Sequence, residues 1–145
     1  MFTHILLPTD GSELSAAAMR QGVHFARSIG AKVTGLCVVP LMHTFFYETK
    51  IPKTTLEQTD RSLKRLAEEW LAALQEEAAD AGVACETLYA QHDSPCEEII
   101  RVAEARGCDL IMMASHGRRG VKAFLLGSET QKVLTHSKVP VLVYR

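Results

Sequence analysis

The first apolar run, Thr3–Pro8 (THILLP), is short and stops at a proline, as a buried strand does. Ser12 follows in a capping position. Ala16, Met19, Val23 and Ala26 then recur at intervals of 3 and 4, giving a helix with one apolar face to about Ile29, where Gly30 stops it. Lys32–Val39 (KVTGLCVV) reads as a second strand, closed by Pro40. Leu41–Lys53 has many apolar side chains but no clean period. A stretch of that kind inside a compact domain is often functional, as a lid, a partner-binding loop or a staple onto the core.

Thr54-Thr55-Leu56-Glu57 has the form of a capping box. The helix it opens runs to about Ala81, with Leu63, Leu66, Trp70 and Leu74 on the dry side and Lys64, Arg65, Glu68, Glu69, Glu76 and Glu77 on the wet side. Gly82 ends it, and Val83–Ala90 alternates weakly as a third strand. Ser94-Pro95-Cys96-Glu97 predicts the next helix start, with a cap, a proline in the first helical position and a glutamate two later. Ile99, Ile100, Val102 and Ala103 form its buried side, and Gly107 closes it. Asp109–Ala114 (DLIMMA) is apolar throughout, which predicts a central strand buried on both faces. Ser115–Gly127 is a loop bearing glycine and arginine. Ser128-Glu129-Thr130-Gln131 reads as a third capping box for a helix to about His136, and Val139–Tyr144 is the last strand.

Strands that alternate with helices imply a parallel sheet with helices on both faces and right-handed crossovers: a doubly wound α/β domain. Ligands of such sheets bind beyond the carboxyl ends of the strands, where the winding reverses. Pro8–Gly11, Val38–Leu41 and Met113 onward are therefore the candidates.

Composition narrows the classes. The 145 residues, 47% hydrophobic and 23% charged, fit one globular domain spanning 1–145. The net charge of −1 argues against a whole-molecule grip on nucleic acid. No apolar run approaches the ~20 residues of a membrane span, and the first residues lack the basic start of a secretory signal. The expected compartment is the cytoplasm. Cys37, Cys85, Cys96 and Cys108 show no C-x-x-C spacing, and three of them lie in or beside apolar runs, where cysteine acts as a small hydrophobe, so their role reads as structural.

The chemistry concentrates after the most apolar strand. Ala114-Ser115-His116-Gly117-Arg118-Arg119-Gly120 leads, after Lys122, to Gly127 and Ser128 at a helix start. Glycine turns beside unpaired helix N–H groups, hydroxyls at Ser128 and Thr130, and the cations Arg118, Arg119 and Lys122 suit a phosphate. The plainer reading also stands: the glycines permit turns, Ser128 caps, His116 is a loop histidine and the arginines are surface charge. Asp10 either accepts from ribose or base donors or closes an Asx-turn with Gly11. Neither G-x-x-x-x-G-K-[ST] nor G-x-G-x-x-G is present.

Pro8-Thr9-Asp10-Gly11-Ser12, Ala114-Ser115-His116-Gly117 with Gly127-Ser128 after the gap, and the closing Val139-Pro140-Val141-Leu142-Val143 together resemble the universal stress protein family over essentially the whole chain. The resemblance implies a Rossmann-like sheet in the order 3-2-1-4-5 and a homodimer joined through Val139–Tyr144, an apolar edge strand that invites pairing. It also implies ATP, ADP or AMP as ligand, with any Mg held through the phosphates, in the branch that carries G-x-x-G-x9-G-[ST]. Pro8, Thr9 and Asp10 then meet adenine and ribose, and Val38 and Met113 wall the base. Ala114, Ser115, His116, Gly117, Arg118, Arg119, Gly127, Ser128, Glu129 and Thr130 form the phosphate segment. Ala114 departs from the motif's first glycine. If that residue needs positive φ, its methyl costs about 1 kcal/mol or more; if it is extended, alanine is the mildest replacement. The function implied is a dimeric nucleotide-binding regulator. Its rivals are a slow ATPase, in which His116 or Asp10 would position water, an arginine would stabilise charge and Asp10 alone would suit a metal, and a nucleotide-free interaction dimer with Leu41–Ile51 as a partner surface.

Overall fold

The computed structural model describes residues 1–41, 51–117 and 125–145. Its strands are β1 (His4–Thr9), β2 (Lys32–Val39), β3 (Cys85–Gln91), β4 (Leu110–Ala114) and β5 (Val141–Tyr144). The helices among the described residues are α1 (Glu13–Ile29), α2 (Lys53–Ala81), α3 (Pro95–Arg106) and α4 (Ser128–His136). All strand pairs are parallel, in the order β3-β2-β1-β4-β5, as expected.

The two faces follow from strand alternation. Ile5, Leu7, Val33 and Met112 pack against Met19 and Val23 of α1 and Leu74 and Ala78 of α2. Leu6, Leu36, Ile111 and Met113 face Ile99, Val102 and Ala103 of α3 and Val133 of α4. A smaller cluster joins Cys37 and Val39 to Ala67 and Leu71 of α2. Strands β1 and β4 are buried at every position, as inner strands covered on both sides must be, while β3 and β5 are half-exposed edges.

Helix starts depart from the sequence reading. Ser12 caps α1 as expected, accepting from Ser15 N–H at 3.2 Å. The Thr54 box does not form: α2 begins at Lys53 with Pro52 as its N-cap and no side-chain cap, so Thr54 already lies inside the first turn, whose N–H groups of Thr55 and Leu56 bond to Pro52 O. Ser94 precedes α3, but its hydroxyl makes no capping bond; Glu129 of α4 reaches across instead and accepts from Cys96 N–H at 2.9 Å. Gly127, not Ser128, is the N-cap of α4, so the third box also fails and Ser128 is the first helical residue. Of Leu41–Lys53 and Ser115–Gly127, residues 42–50 and 118–124 lie outside the described residues. Arg118, Arg119 and Lys122 are among them.

The structural reading of the cysteines is supported. All four are free, and Cys37, Cys96 and Cys108 are buried. Burial pushes the Cys108 thiol up to about 11 and raises those of Cys85 and Cys96, so these groups stay protonated at neutral pH.

Candidate functional site

Strands β1 and β4 pair only at Ile5–Leu110 and Leu6–Ile111. Beyond that point Pro8 has no N–H to give, and the two strands part. A cleft of about 760 Å³ opens there, at the carboxyl ends of β1, β2 and β4 and facing the N-termini of α3 and α4. Pockets of this size hold ligands of nucleotide dimensions.

On the α3/α4 side, Val38, Ile99 and Met113 share one apolar cluster, and all three line the cleft with Pro8. The expected base wall is therefore a continuous surface, because Leu6, Leu36 and Ile111 lie two residues earlier on the same face. On the α2 side the lining is Cys37, Val39, Leu63 and Trp70.

The β1–α1 turn is tightly bonded. Asp10 Oδ1 accepts from Ser12 N–H at 3.0 Å, so the Asx-turn forms. The Thr9 hydroxyl accepts from Gly11 N–H at 3.1 Å and pairs with Ser15 Oγ at 2.9 Å, which binds it within the turn. Gly11 needs its left-handed conformation (φ 76°), and a Cβ there would run into the Trp70 ring. The remaining Asp10 oxygen, Oδ2, faces Gly117, where a Cβ would collide with it. The ends of β1 and β4 thus meet at a carboxylate and a bare backbone.

The segment expected to meet phosphate is pinned at both ends. Gly127 N–H bonds to Ser115 O at 2.7 Å and Ser115 N–H to Tyr144 O at 2.7 Å. Thr130, buried, donates its hydroxyl proton to Ala114 O at 2.9 Å, holding the first turn of α4 against the end of β4. The first internal bond of α4 runs from Gln131 N–H to Gly127 O at 2.9 Å, so the N–H groups of Ser128, Glu129 and Thr130 precede the helix's own ladder. All three residues line the cleft, which puts the positive end of the helix dipole at its wall. Ser128 is exposed at its rim. Ala114 is extended within β4, so its methyl replaces a glycine without backbone strain.

The structure thus brings Pro8, Thr9, Asp10, Val38, Met113, Ala114, His116, Gly117, Gly127, Ser128, Glu129 and Thr130 to one cleft. Ser115 stands behind it, buried, with its hydroxyl 3.1 Å from His116 Nδ1. Glu129 shares its carboxylate between Cys96 N–H and Lys132 Nζ at 2.8 Å. Sequence reasoning missed Ser15, Trp70, His92 and Asp93 in the lining. Extending the alternation of β3 past its end would have found His92. Among the described residues no group of three or more His, Cys, Asp or Glu is placed to hold a metal ion, and no helix is long and apolar enough to cross a membrane.

The sequence profile described as "Universal stress protein family" matches residues 1–145. Universal stress protein YxiE of Bacillus subtilis is 33% identical, with 100% of both chains covered. The solved structure of protein MJ0577 of Methanocaldococcus jannaschii is 31% identical and superposes with a TM-score of 0.85, over 99% of this chain and 95% of that one. A universal stress protein of Archaeoglobus fulgidus, solved in complex with dAMP, shares the fold at 16% identity, with a TM-score of 0.70 over 100% of this chain and 98% of its own. Sequence match and three-dimensional match run from end to end on the same parallel sheet, and on that ground the chain belongs to the universal stress protein family.

Proposed function

We propose that the cleft binds an adenine nucleotide, ATP or its di- or monophosphate, and that the protein acts as a dimeric module whose surface responds to occupancy. The observation that carries this reading is the facing of two unlike walls. Val38, Ile99 and Met113 offer an apolar bed for a base, and the start of α4 at Gly127–Ser128 offers N–H donors to an anion across from Asp10. The donor set fits a phosphate tail: main-chain N–H groups, the Ser128 hydroxyl that caps nothing, and the bare main chain at Gly117. Asp10, acceptor-only when ionised, suits ribose hydroxyls. Mg, when it accompanies the nucleotide, would be held through the phosphates. The dAMP carried by the Archaeoglobus fulgidus relative supports an adenine ligand for this fold. Arg118 and Arg119 add positive charge in the adjoining sequence.

Charge-assisted bonds of roughly 1.5–3 kcal/mol each, partly offset by ordering costs, place the expected affinity at about micromolar order, near −8 kcal/mol. Isothermal titration with ATP, ADP and AMP tests the proposal. Saturable heat and a rise in Tm are expected with at least one of them. No heat and no thermal shift at millimolar concentrations of all three would reject it.

A further inference from the structure

We propose that His92 reads the base, its Nε2–H donating a hydrogen bond to a ring nitrogen of the purine that lies against Val38 and Met113. The inference rests on the nucleotide reading above.

His92 follows β3 directly, and its N–H bonds to Val39 O at 2.9 Å, carrying the β2–β3 ladder past the last strand residue. Leu88 and Ala90 face the α3/α4 side together with Val38. Alternation puts His92 on that same side, and it lines the cleft beside Pro95 and Ile99. The turn is fixed further by Asp93, whose Oδ1 accepts from Leu41 N–H at 3.3 Å, so the ends of β2 and β3 form one rim.

The hydrogen bonds assign the imidazole proton. Ser94 N–H, whose hydrogen the backbone fixes, donates to Nδ1 at 2.9 Å. Nδ1 also lies 3.0 Å from Ser94 O, but a hydrogen on Nδ1 would stand against that of Ser94 N–H, 2.9 Å away. With the Nδ1 lone pair engaged, a neutral ring carries its proton on Nε2 and is a donor there. A purine offers ring nitrogens as acceptors on its edges, and adenine offers no carbonyl to compete. The apolar bed holds the base by area alone, which is blind to the kind of base; a fixed donor at the rim supplies a contact that depends on it.

Two substitutions separate this role from a structural one. His92→Asn keeps an acceptor near the Nδ1 position for Ser94 N–H and removes the far donor. His92→Gln restores an N–H donor at about the reach of Nε2. By titration calorimetry His92→Asn is expected to weaken ATP about 10-fold, and His92→Gln to recover most of that loss. Competition by inorganic tripolyphosphate is expected to be unchanged in both. One of 1-deaza-, 3-deaza- and 7-deaza-ATP should bind the wild type about 10-fold less tightly than ATP, and should bind His92→Asn as tightly as ATP does. Wild-type affinity for ATP in His92→Asn overturns the proposal, as do equal losses for ATP and tripolyphosphate. If His92→Asn does not fold, the deaza series on the wild type decides: three analogues equal to ATP overturn the proposal, and one weakened analogue supports it. A wild type that binds neither ATP nor tripolyphosphate overturns the nucleotide reading itself, whereas ATP binding indifferent to His92 overturns only this contact.

Discussion

Gly117 owes its lack of a side chain to a contact rather than to turn geometry. Its glycine suggested a tight turn, but what excludes a side chain is the Asp10 carboxylate facing it. Asp10 is short and tied through Oδ1 to Ser12 N–H, so it has little room to yield. Gly117→Ala is therefore expected to displace Asp10 and weaken ATP at least 10-fold by calorimetry, with a change in Tm of only a few degrees. Undiminished affinity would show that Asp10 takes no part in binding. Ser128 gives the opposite lesson. Sequence pattern assigns it to capping, yet Gly127 occupies the cap and the Ser128 hydroxyl stabilises no helix end. Ser128→Ala should leave the melting temperature nearly unchanged and reduce nucleotide affinity several-fold. A drop in Tm with unchanged affinity would restore the capping role. At Ala114 the extended backbone of β4 removes the strain that a left-handed residue would carry, a matter the motif alone left open.

At the scale of elements, strand positions were legible because burial on both faces writes a continuous apolar run, as in Asp109–Ala114. Lys32–Val39 matched β2 at both ends. Helix starts were less legible, because a cap is decided by whichever group reaches the first N–H groups. Glu129 serves the start of α3 from a different helix, and no local pattern announces that. Glu129→Ala is expected to cost about 1 kcal/mol by denaturant unfolding, through the lost bond to Cys96 N–H. Stability equal to wild type would show that α3 needs no such partner. Within α3, the hydrogen bonds from Arg101 hold Glu98 below the ordinary carboxylate range. Burial likewise holds His4, bonded through Nε2 to Thr34 Oγ1 at 2.7 Å, below its usual value. Both groups bind protons more readily when unfolded, so both contributions are complete at neutral pH. That of His4 is lost as pH falls below about 6.5, toward its lowered folded value; that of Glu98 is lost below about 4.5 in the same way. Tm should therefore decline with acidification, and Glu98→Gln should flatten the lower part of the decline. A Tm offset for Glu98→Gln that is constant from pH 7 to pH 3 would refute this account.

On the scale of the whole molecule, β5 closes one edge of the sheet. Leu142 on it and Leu134 on α4 are 37% and 40% exposed. An apolar strand edge of this kind favours pairing with a second copy, and a homodimer through Val139–Tyr144 is the assembly we propose. Sedimentation at micromolar concentration is expected to give twice 16.0 kDa, and Leu142→Lys to shift it toward one chain. A wild type sedimenting only as 16.0 kDa would refute the dimer. The architecture was readable from the alternation of elements. The cleft's far wall was not, because Trp70 comes to it from the middle of α2, distant in sequence from every glycine motif. Trp70 is also the chain's 1 tryptophan, and it rests against Gly11 while lining the cleft. Its indole emission therefore comes from a single place, beside the turn that carries Asp10. Quenching or a spectral shift on adding a nucleotide can be followed with no label attached, and its time course would give the rates of entry and departure directly.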